Sequence, residues 1–135
     1  MRYVSNHVSQ AFSQRVSIYD VSVAEWVVLR ELLSGAAISS DLAARLGMTR
    51  GGISKVINRL EARSLLLRRV QRSDSRYQTL RLTTKGRVLV PKLAALADEN
   101  DDEFFGQLTR KERDQLIAAL KEIAHRHHFR KTPLE

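Results

Sequence analysis

Apolar side chains recur every three or four positions along most of this chain, the spacing that places them on one face of a helix. After residue 63 this helical spacing gives way to runs of β-favouring residues, and it resumes after them. The predicted order is four helices, a β-hairpin and two further helices. The predicted helices cover residues 4–18, 22–33, 39–46, 49–63, 85–108 and the chain from 109 onward.

Capping signals mark several helix ends. In a capping box a hydroxyl accepts the amide three residues later, and a glutamate there reaches back to the first amide. The two boxes are Ser22 with Glu25 and Thr109 with Glu112. Gly47 suits a left-handed C-cap, and Thr49 suits the N-cap of the next helix. Residues 39–63 therefore predict a helix, a short turn and a second helix.

The β-favouring runs at 66–70 and 79–83 are joined by a polar segment, 71–78, that is rich in turn-forming residues. They predict a β-hairpin with a long basic tip. The whole order indicates an α+β, mostly α, winged helix-turn-helix fold with extra helices at both ends.

The long helix after the hairpin carries two local signals. Thr83 or Thr84 is expected to cap its start. Pro91 is expected to cost stability or kink the helix, leaving the first turn irregular.

The charge distribution adds a functional expectation. The chain has 135 residues, enough for one domain, and a net charge of +8. Between Arg45 and Lys92, 13 Lys and Arg residues face only two acids, Glu61 and Asp74. The rest of the chain is net acidic, so the basic centre predicts a localised surface for a polyanion.

Other compositional features exclude classes of protein. With no cysteine, the chain has no disulfide, no thiolate metal site and no cysteine redox sensor. The apolar runs are too short to span a membrane, and the first residues lack the apolar segment of a signal peptide. We therefore expect a cytoplasmic protein without membrane contact. Residues 130–135 are expected to fray, and whether Leu134 and Glu135 are native is left open.

The helix at 49–63 has the character of a DNA-recognition helix, with one apolar face and one polar face. Hydroxyls and free amides at its start can bind phosphate, basic side chains can contact phosphate or guanine, and Asn58 can pair with adenine. The candidate DNA contacts are Thr49, Arg50, Ser54, Lys55, Asn58 and Arg59. Gly51 and Gly52 indicate either close backbone approach to DNA or tolerance at a helix end.

The hairpin tip supplies a second group of candidate DNA contacts: Arg72, Asp74 and Arg76. An arginine on a protruding tip suits the narrow, electronegative minor groove. Asp74 would pair with Arg76, Arg72 or Arg50 and so orient the tip.

These segments together resemble the MarR family of regulators. The matching segments are 42–47 (LAARLG), Thr49, 53–61 (ISKVINRLE), 65–66 (LL), Asp74 with Arg76, and 80–86 (LRLTTKG). By that resemblance Ser54 and Lys55 meet DNA from the recognition helix, and Arg76 is the wing-tip arginine. Gly51 and Gly52 depart from the family's usual small polar residues.

The resemblance also implies a homodimer bound to double-stranded DNA. The single domain, residues 1–135, would have its DNA-binding core at about 36–86. Interlocking dimerisation helices would lie at about 1–20 and 87–130. The expected function is a ligand-responsive repressor on a pseudo-palindromic operator.

Family members often bind small, frequently anionic aromatic molecules between the dimerisation helices and the DNA-binding lobe. The candidate effector-pocket residues here are His7, Phe12, Arg15, Tyr19 and Trp26. Side chains at such spacing are also typical of a core or an interface. Apart from such an effector, no cofactor is expected.

The sequence also bears on two other classes of protein, enzymes and architectural DNA-binding proteins. An enzyme is disfavoured because the histidines (His7, His125, His127 and His128) have no nucleophile or metal-ligand spacing, and the acidic run 98–103 lacks the glycine turn of a calcium loop. No catalytic or metal residue is therefore predicted. A non-sequence-specific architectural DNA binder stays open, since phosphate contacts dominate affinity in either case.

Overall fold

The computed structural model describes residues 1–71 and 73–127, with the backbone alone at 71 and 74–76. Within these residues it contains six α-helices and three short strands, the mostly helical α+β arrangement predicted. The helices are α1 (Arg2–Val16), α2 (Val23–Leu33), α3 (Ser39–Leu46), α4 (Arg50–Ala62), α5 (Thr84–Phe105) and α6 (Arg110–Arg126). The strands are β1 (Ala37–Ile38), β2 (Leu66–Gln71) and β3 (Asp74–Leu82).

The helix boundaries follow the predicted capping signals. Both capping boxes form, with the glutamate amide donating to the hydroxyl and the glutamate side chain accepting the cap amide. Gly47 ends α3 in the left-handed conformation, with φ of 66°. Thr49 caps α4, and Thr83, rather than Thr84, caps α5.

Two helices differ from the prediction. The first ends at Val16 and continues as one 3-10 turn, Ser17–Tyr19. The long helix is regular α from Thr84 and runs through Pro91, so the irregular first turn was wrongly predicted. Proline lacks the N–H that would bond the carbonyl four residues earlier, yet packing of Val90 and Leu93 in the core holds the segment helical.

The hydrophobic core lies between α2, α3, α4, the sheet and the first half of α5. Leu29, Leu42, Leu60 and Leu80, contributed by four different elements, are each fully buried. The predicted apolar face of α4 is buried in the same cluster: Ile53, Val56, Ile57 and Leu60. This burial fixes which face of α4 is left for solvent.

The three strands form an antiparallel sheet in the order β1–β3–β2. β1 was not predicted, because two residues are too few to show a periodic pattern. It pairs Ala37 with Leu80. The expected long tip was wrong in extent, since β2 continues to Gln71 and β3 starts at Asp74. The projecting ribbon need not bury either face there, so a polar sequence can still be a strand.

The terminal helices contribute little to the core. Among the described residues Val16 is the buried residue of α1, and α6 has none. The apolar face of α6 is instead partly exposed, with Leu116 at 36%, Ile117 at 44%, Leu120 at 50% and Ile123 at 42%. In the described part of the chain, no helix is both long and apolar enough to cross a bilayer.

Candidate nucleic-acid interface

The solvent-facing side of α4 carries the predicted contact residues. Ser54, Lys55, Asn58 and Arg59 are all exposed, opposite the face that packs into the core. Arg50 is exposed at the start of the helix. Burial on one side and exposure on the other give this helix the two faces that a groove-reading helix requires.

The N-terminus of α4 is open to an anion. Thr49 Oγ1 accepts the Gly52 N–H at 3.0 Å and so uses one of its lone pairs, while its hydroxyl proton can still be donated. The N–H groups of Arg50 and Gly51 precede the first intrahelical bond and point out of the helix. Together they form a phosphate-binding geometry with the positive end of the helix dipole.

The two glycines differ in their surroundings. A Cβ on Gly51 would meet nothing within 4 Å, whereas one on Gly52 would lie 3.0 Å from Thr49 Oγ1. Gly52 therefore has an internal packing role at the cap. Gly51 has no such role in the protein itself. Its lack of a side chain is explained either by close approach of the backbone to DNA or by the tolerance of a helix end for glycine.

Gly51→Ala separates these two explanations. We expect it to stabilise the fold by about 0.5–1 kcal/mol, because alanine favours a helix over glycine. If the backbone at Gly51 approaches DNA, affinity should fall although stability rises. Thermal unfolding and DNA-binding titrations on the same preparation would show both effects. An unchanged affinity for DNA would indicate that glycine is merely tolerated at this helix end.

Arg59 faces a buried carboxylate as well as solvent. Its Nη2 lies 3.4 Å from Glu25 Oε1, and Glu25 is only 1% exposed. Arg63 Nη1 approaches the other carboxylate oxygen at 3.9 Å, and that oxygen has no hydrogen bond within the described residues. Glu25, predicted only as a cap, thus holds the C-terminal half of α4 against α2.

Arg63 adds a second tie between α4 and the chain before α2. Its guanidinium donates to the carbonyl oxygens of Asp20 at 2.5 Å and Tyr19 at 2.9 Å. Asp20 has φ of 55°, a left-handed conformation that points its carbonyl toward this partner. In the sequence, Arg63 was only one of the basic residues counted between Arg45 and Lys92, and no structural role was predicted for it.

Asn58 contacts the hairpin instead of standing free. Arg68 Nη2, from β2, donates to Asn58 Oδ1 at 2.7 Å and to Glu61 Oε1 at 2.8 Å. Hydrogen bonding to Arg68 lowers the pKa of Glu61 below its ordinary value, keeping it ionised. In contrast, Arg50 and Lys55 have no ion pair or side-chain hydrogen bond among the described residues.

The residues predicted at the hairpin tip are only partly placed. Arg72 lies outside the described residues, as do His128, Leu134 and Glu135. The backbones of Asp74 and Arg76 belong to β3. Their roles as DNA contacts stay predictions.

The start of α5 is fastened to the turn that follows α4. Thr83 Oγ1 donates to the Ser64 carbonyl at 2.6 Å and accepts the Gly86 N–H at 3.0 Å. Lys85 Nζ donates to the Arg63 carbonyl at 3.1 Å. A Cβ on Gly86 would lie 2.2 Å from the Leu65 carbonyl oxygen. These contacts therefore join the start of the long helix α5 to the turn that follows the exposed helix α4.

The predicted effector residues lie in different surroundings, and their role as an effector pocket stays a prediction. Phe12 packs edge-on against Trp26, with centroids 6.2 Å apart, and Trp26 is buried in the core. Tyr19 is half-buried against the core, and His7 lies beside exposed Tyr3. Two surface clefts in the described part of the chain are lined by other residues.

Arg15, one of the predicted effector-pocket residues, already has anionic partners. It pairs with Glu99 at 3.4 Å and with Glu103, and its Nε donates to Asn100 Oδ1 at 3.3 Å. Asn100 in turn donates to the Val8 carbonyl at 3.2 Å, joining α1 to α5. A group of three or more metal-ligating side chains is absent from the described residues.

The arrangement is that of a winged helix-turn-helix DNA-binding protein. Helix α3 ends at Gly47, a short turn leads to the exposed helix α4, and a hairpin projects beside α4.

The MarR family model matches residues 19–76. An uncharacterized HTH-type transcriptional regulator of Bacillus cereus (strain ZK / E33L) is 25% identical over 128 residues, covering 94% of this chain and 83% of the relative.

Solved structures share the fold over nearly the whole chain. MepR of S. aureus, solved as a complex with DNA, is 26% identical with a TM-score of 0.80, over 92% of this chain and 93% of MepR. BpsR of Bordetella bronchiseptica is 27% identical with a TM-score of 0.83, over 91% and 94% of the two chains. By sequence over residues 19–76, and by fold over nearly its whole length, this chain is similar to the MarR family of transcriptional regulators.

Proposed function

We propose that this regulator binds as a homodimer to a pseudo-palindromic operator and represses transcription in the cytoplasm by covering a promoter. The observation that carries the proposal is the two-sided α4, whose buried face is locked to the core while its exposed start offers free amides, Arg50 and Lys55. Within the described residues, no ion pair or side-chain hydrogen bond occupies Arg50 or Lys55, so both side chains are available to a polyanion.

Dimerisation is supported by the state of α6. Most helical stability in proteins comes from packing an apolar face against other parts of the structure. Within the described chain, α6 has such a face but buries no residue. Tyr3 and Val4 of α1 are exposed as well. A second copy would cover both surfaces.

The proposed dimer sets the geometry of its operator. Two recognition helices related by a two-fold axis should enter successive major grooves, so half-site centres should lie about 10 base pairs apart or a multiple of that distance. The basic hairpins would then reach the flanking minor grooves, with Arg72, Asp74 and Arg76 at their tips.

Arg76→Ala tests the wing assignment. We expect weaker binding and a salt dependence flatter by about one unit of log–log slope, because one phosphate-directed cation is lost. Fluorescence anisotropy over a range of salt concentrations measures both. Ser73→Ala, also at the hairpin tip but without charge, is the matched control. An Arg76→Ala slope equal to that of the control would remove the wing from the interface.

We further propose that an aromatic acid regulates DNA binding. DNA binding by the similar BpsR is regulated by 6-hydroxynicotinic acid, which is a suitable first probe. A ligand shifts DNA binding only through different affinities for two conformers. Since Arg15 is already paired, an acid would have to displace Glu99 or Glu103 there. Absence of thermal stabilisation by a panel of aromatic acids would count against this.

A further inference from the structure

Glu25 of α2 is a buried carboxylate that faces two arginines from the C-terminal end of α4. Its side chain is only 1% exposed. Arg59 Nη2 lies 3.4 Å from Oε1, and Arg63 Nη1 lies 3.9 Å from Oε2. These are the two ion pairs of Glu25 among the described residues. Two positive charges therefore share one buried negative charge.

The two arginines are held to different degrees. Arg63 Nη1 donates to the Asp20 carbonyl at 2.5 Å, and its Nη2 donates to the Tyr19 carbonyl at 2.9 Å. The main chain before α2 therefore fixes the Arg63 guanidinium beside Glu25. Arg59 lies on the solvent side, with 61% of its side chain exposed against 31% for Arg63.

Glu25 can release Arg59 without being left alone. When Arg59 leaves, Oε2 still faces Arg63, and Oε1 still accepts the Ser22 N–H at 3.4 Å. A buried charge that loses its last partner is strongly destabilising, whereas one that keeps a fixed cation is not. Of the two arginines, Arg59 is therefore the one that can turn from Glu25 to a phosphate.

We propose that Arg63 is a positioning residue, which neutralises Glu25 and so frees Arg59 to bind a DNA phosphate. This rests on the proposed function, because it requires the exposed face of α4 to lie against DNA. In the free protein Arg59 lies beside Glu25. On DNA it turns to the phosphate while Arg63 stays with the carboxylate. Without Arg63, Glu25 holds Arg59 away from DNA.

Arg63→Met should therefore weaken DNA binding in the same way as Arg59→Met. Loss of one phosphate contact lowers the log–log salt slope by about 0.9, which corresponds to about fivefold in affinity at about 0.15 M salt. Adding Glu25→Gln to Arg63→Met should restore both the slope and the affinity, because Arg59 is no longer held. Glutamine also keeps the capping box of α2. Anisotropy titrations with a labelled duplex enriched by the wild-type protein measure both quantities.

Arg63→Met with Asp98→Asn is the matched control, since it has the same net charge as Arg63→Met with Glu25→Gln. Asp98 is exposed on α5. The control should bind DNA as weakly as Arg63→Met alone. Equal rescue by Asp98→Asn would show that only net charge matters and would overturn the proposal. A wild-type salt slope in folded Arg63→Met, checked by circular dichroism, would overturn it too.

A measurement on the wild-type protein decides the matter if Arg63→Met does not fold. The guanidinium Nε–H signals in the NMR spectrum can be assigned with Arg59→Lys and Arg63→Lys. On addition of the duplex, the Arg59 signal should shift while the Arg63 signal stays in place. An unmoved Arg59 signal would overturn this inference alone.

The proposed function fails by a different result. A wild-type protein that binds enriched and unselected duplexes equally well would overturn sequence-specific regulation. The salt slopes of the same variants on the unselected duplex would still test the exchange of Arg59, because phosphate contacts do not depend on base sequence.

Discussion

The proposed dimer should dissociate when Leu120 is replaced by glutamate. Leu120 lies at the centre of the apolar face of α6 and is half exposed in one chain. Burying an unpaired carboxylate there on association would cost several kcal/mol, on the order expected for an unpaired charge. Loss of the second recognition helix should weaken operator binding by about 100-fold or more, because bivalent attachment is lost.

Analytical ultracentrifugation and anisotropy would measure the two effects together. Ala118→Glu is the matched control, because Ala118 lies on the opposite side of the same helix and lines an open surface cleft. It should stay dimeric and bind operator nearly as well as the wild type. A dimeric Leu120→Glu protein would show that α6 does not form the interface.

Gly86→Ala should cause a large loss of stability although it adds only one methyl group. The added Cβ would lie 2.2 Å from the Leu65 carbonyl oxygen, and neither a Cβ nor a backbone oxygen can turn away as the end of a flexible side chain can. The start of α5 would have to lift from the turn after α4, breaking the contacts of Thr83. We expect a loss of about 3 kcal/mol and a melting temperature lower by about 10 °C.

Gly51→Ala provides the control for the Gly86 experiment, since it places the same methyl group in the first turn of another helix with open space around it. Its expected effect has the opposite sign. Thermal unfolding of the two variants side by side tests the contrast. If Gly86→Ala unfolded at the wild-type temperature, the close contact between α5 and the Leu65 turn would be refuted.

Local signals were sufficient to predict most of the fold. Capping boxes at Ser22 and Thr109 and the left-handed Gly47 each depend on residues within one turn, and each formed as expected. The apolar stripe of α4 also predicted its buried face. In the projecting hairpin neither face has to be buried, so apolar and polar residues need not alternate there. The strands were therefore predicted to be too short.

The surroundings of the candidate DNA contacts were harder to predict because their partners within the protein are distant in sequence. Asn58 and Arg59 stay predicted DNA contacts, but the sequence did not indicate that Asn58 accepts a hydrogen bond from Arg68 or that Arg59 lies beside buried Glu25. The periodicity of apolar residues within one helix or strand does not indicate which distant side chains will pair. The predicted effector-pocket residue Arg15 illustrates the same point, since its partners Glu99 and Glu103 lie more than 80 residues away.

Selection of genomic DNA fragments by the purified protein at near-physiological salt, followed by sequencing, tests the central claim most directly. A sequence-specific regulator should bind its operator about 10³-fold or more tightly than random DNA. We predict enrichment of an inverted repeat beside particular promoters, with half-sites about 10 base pairs apart or a multiple of that distance. Tight retention of fragments without any shared motif would contradict the claim and indicate an architectural DNA-binding protein.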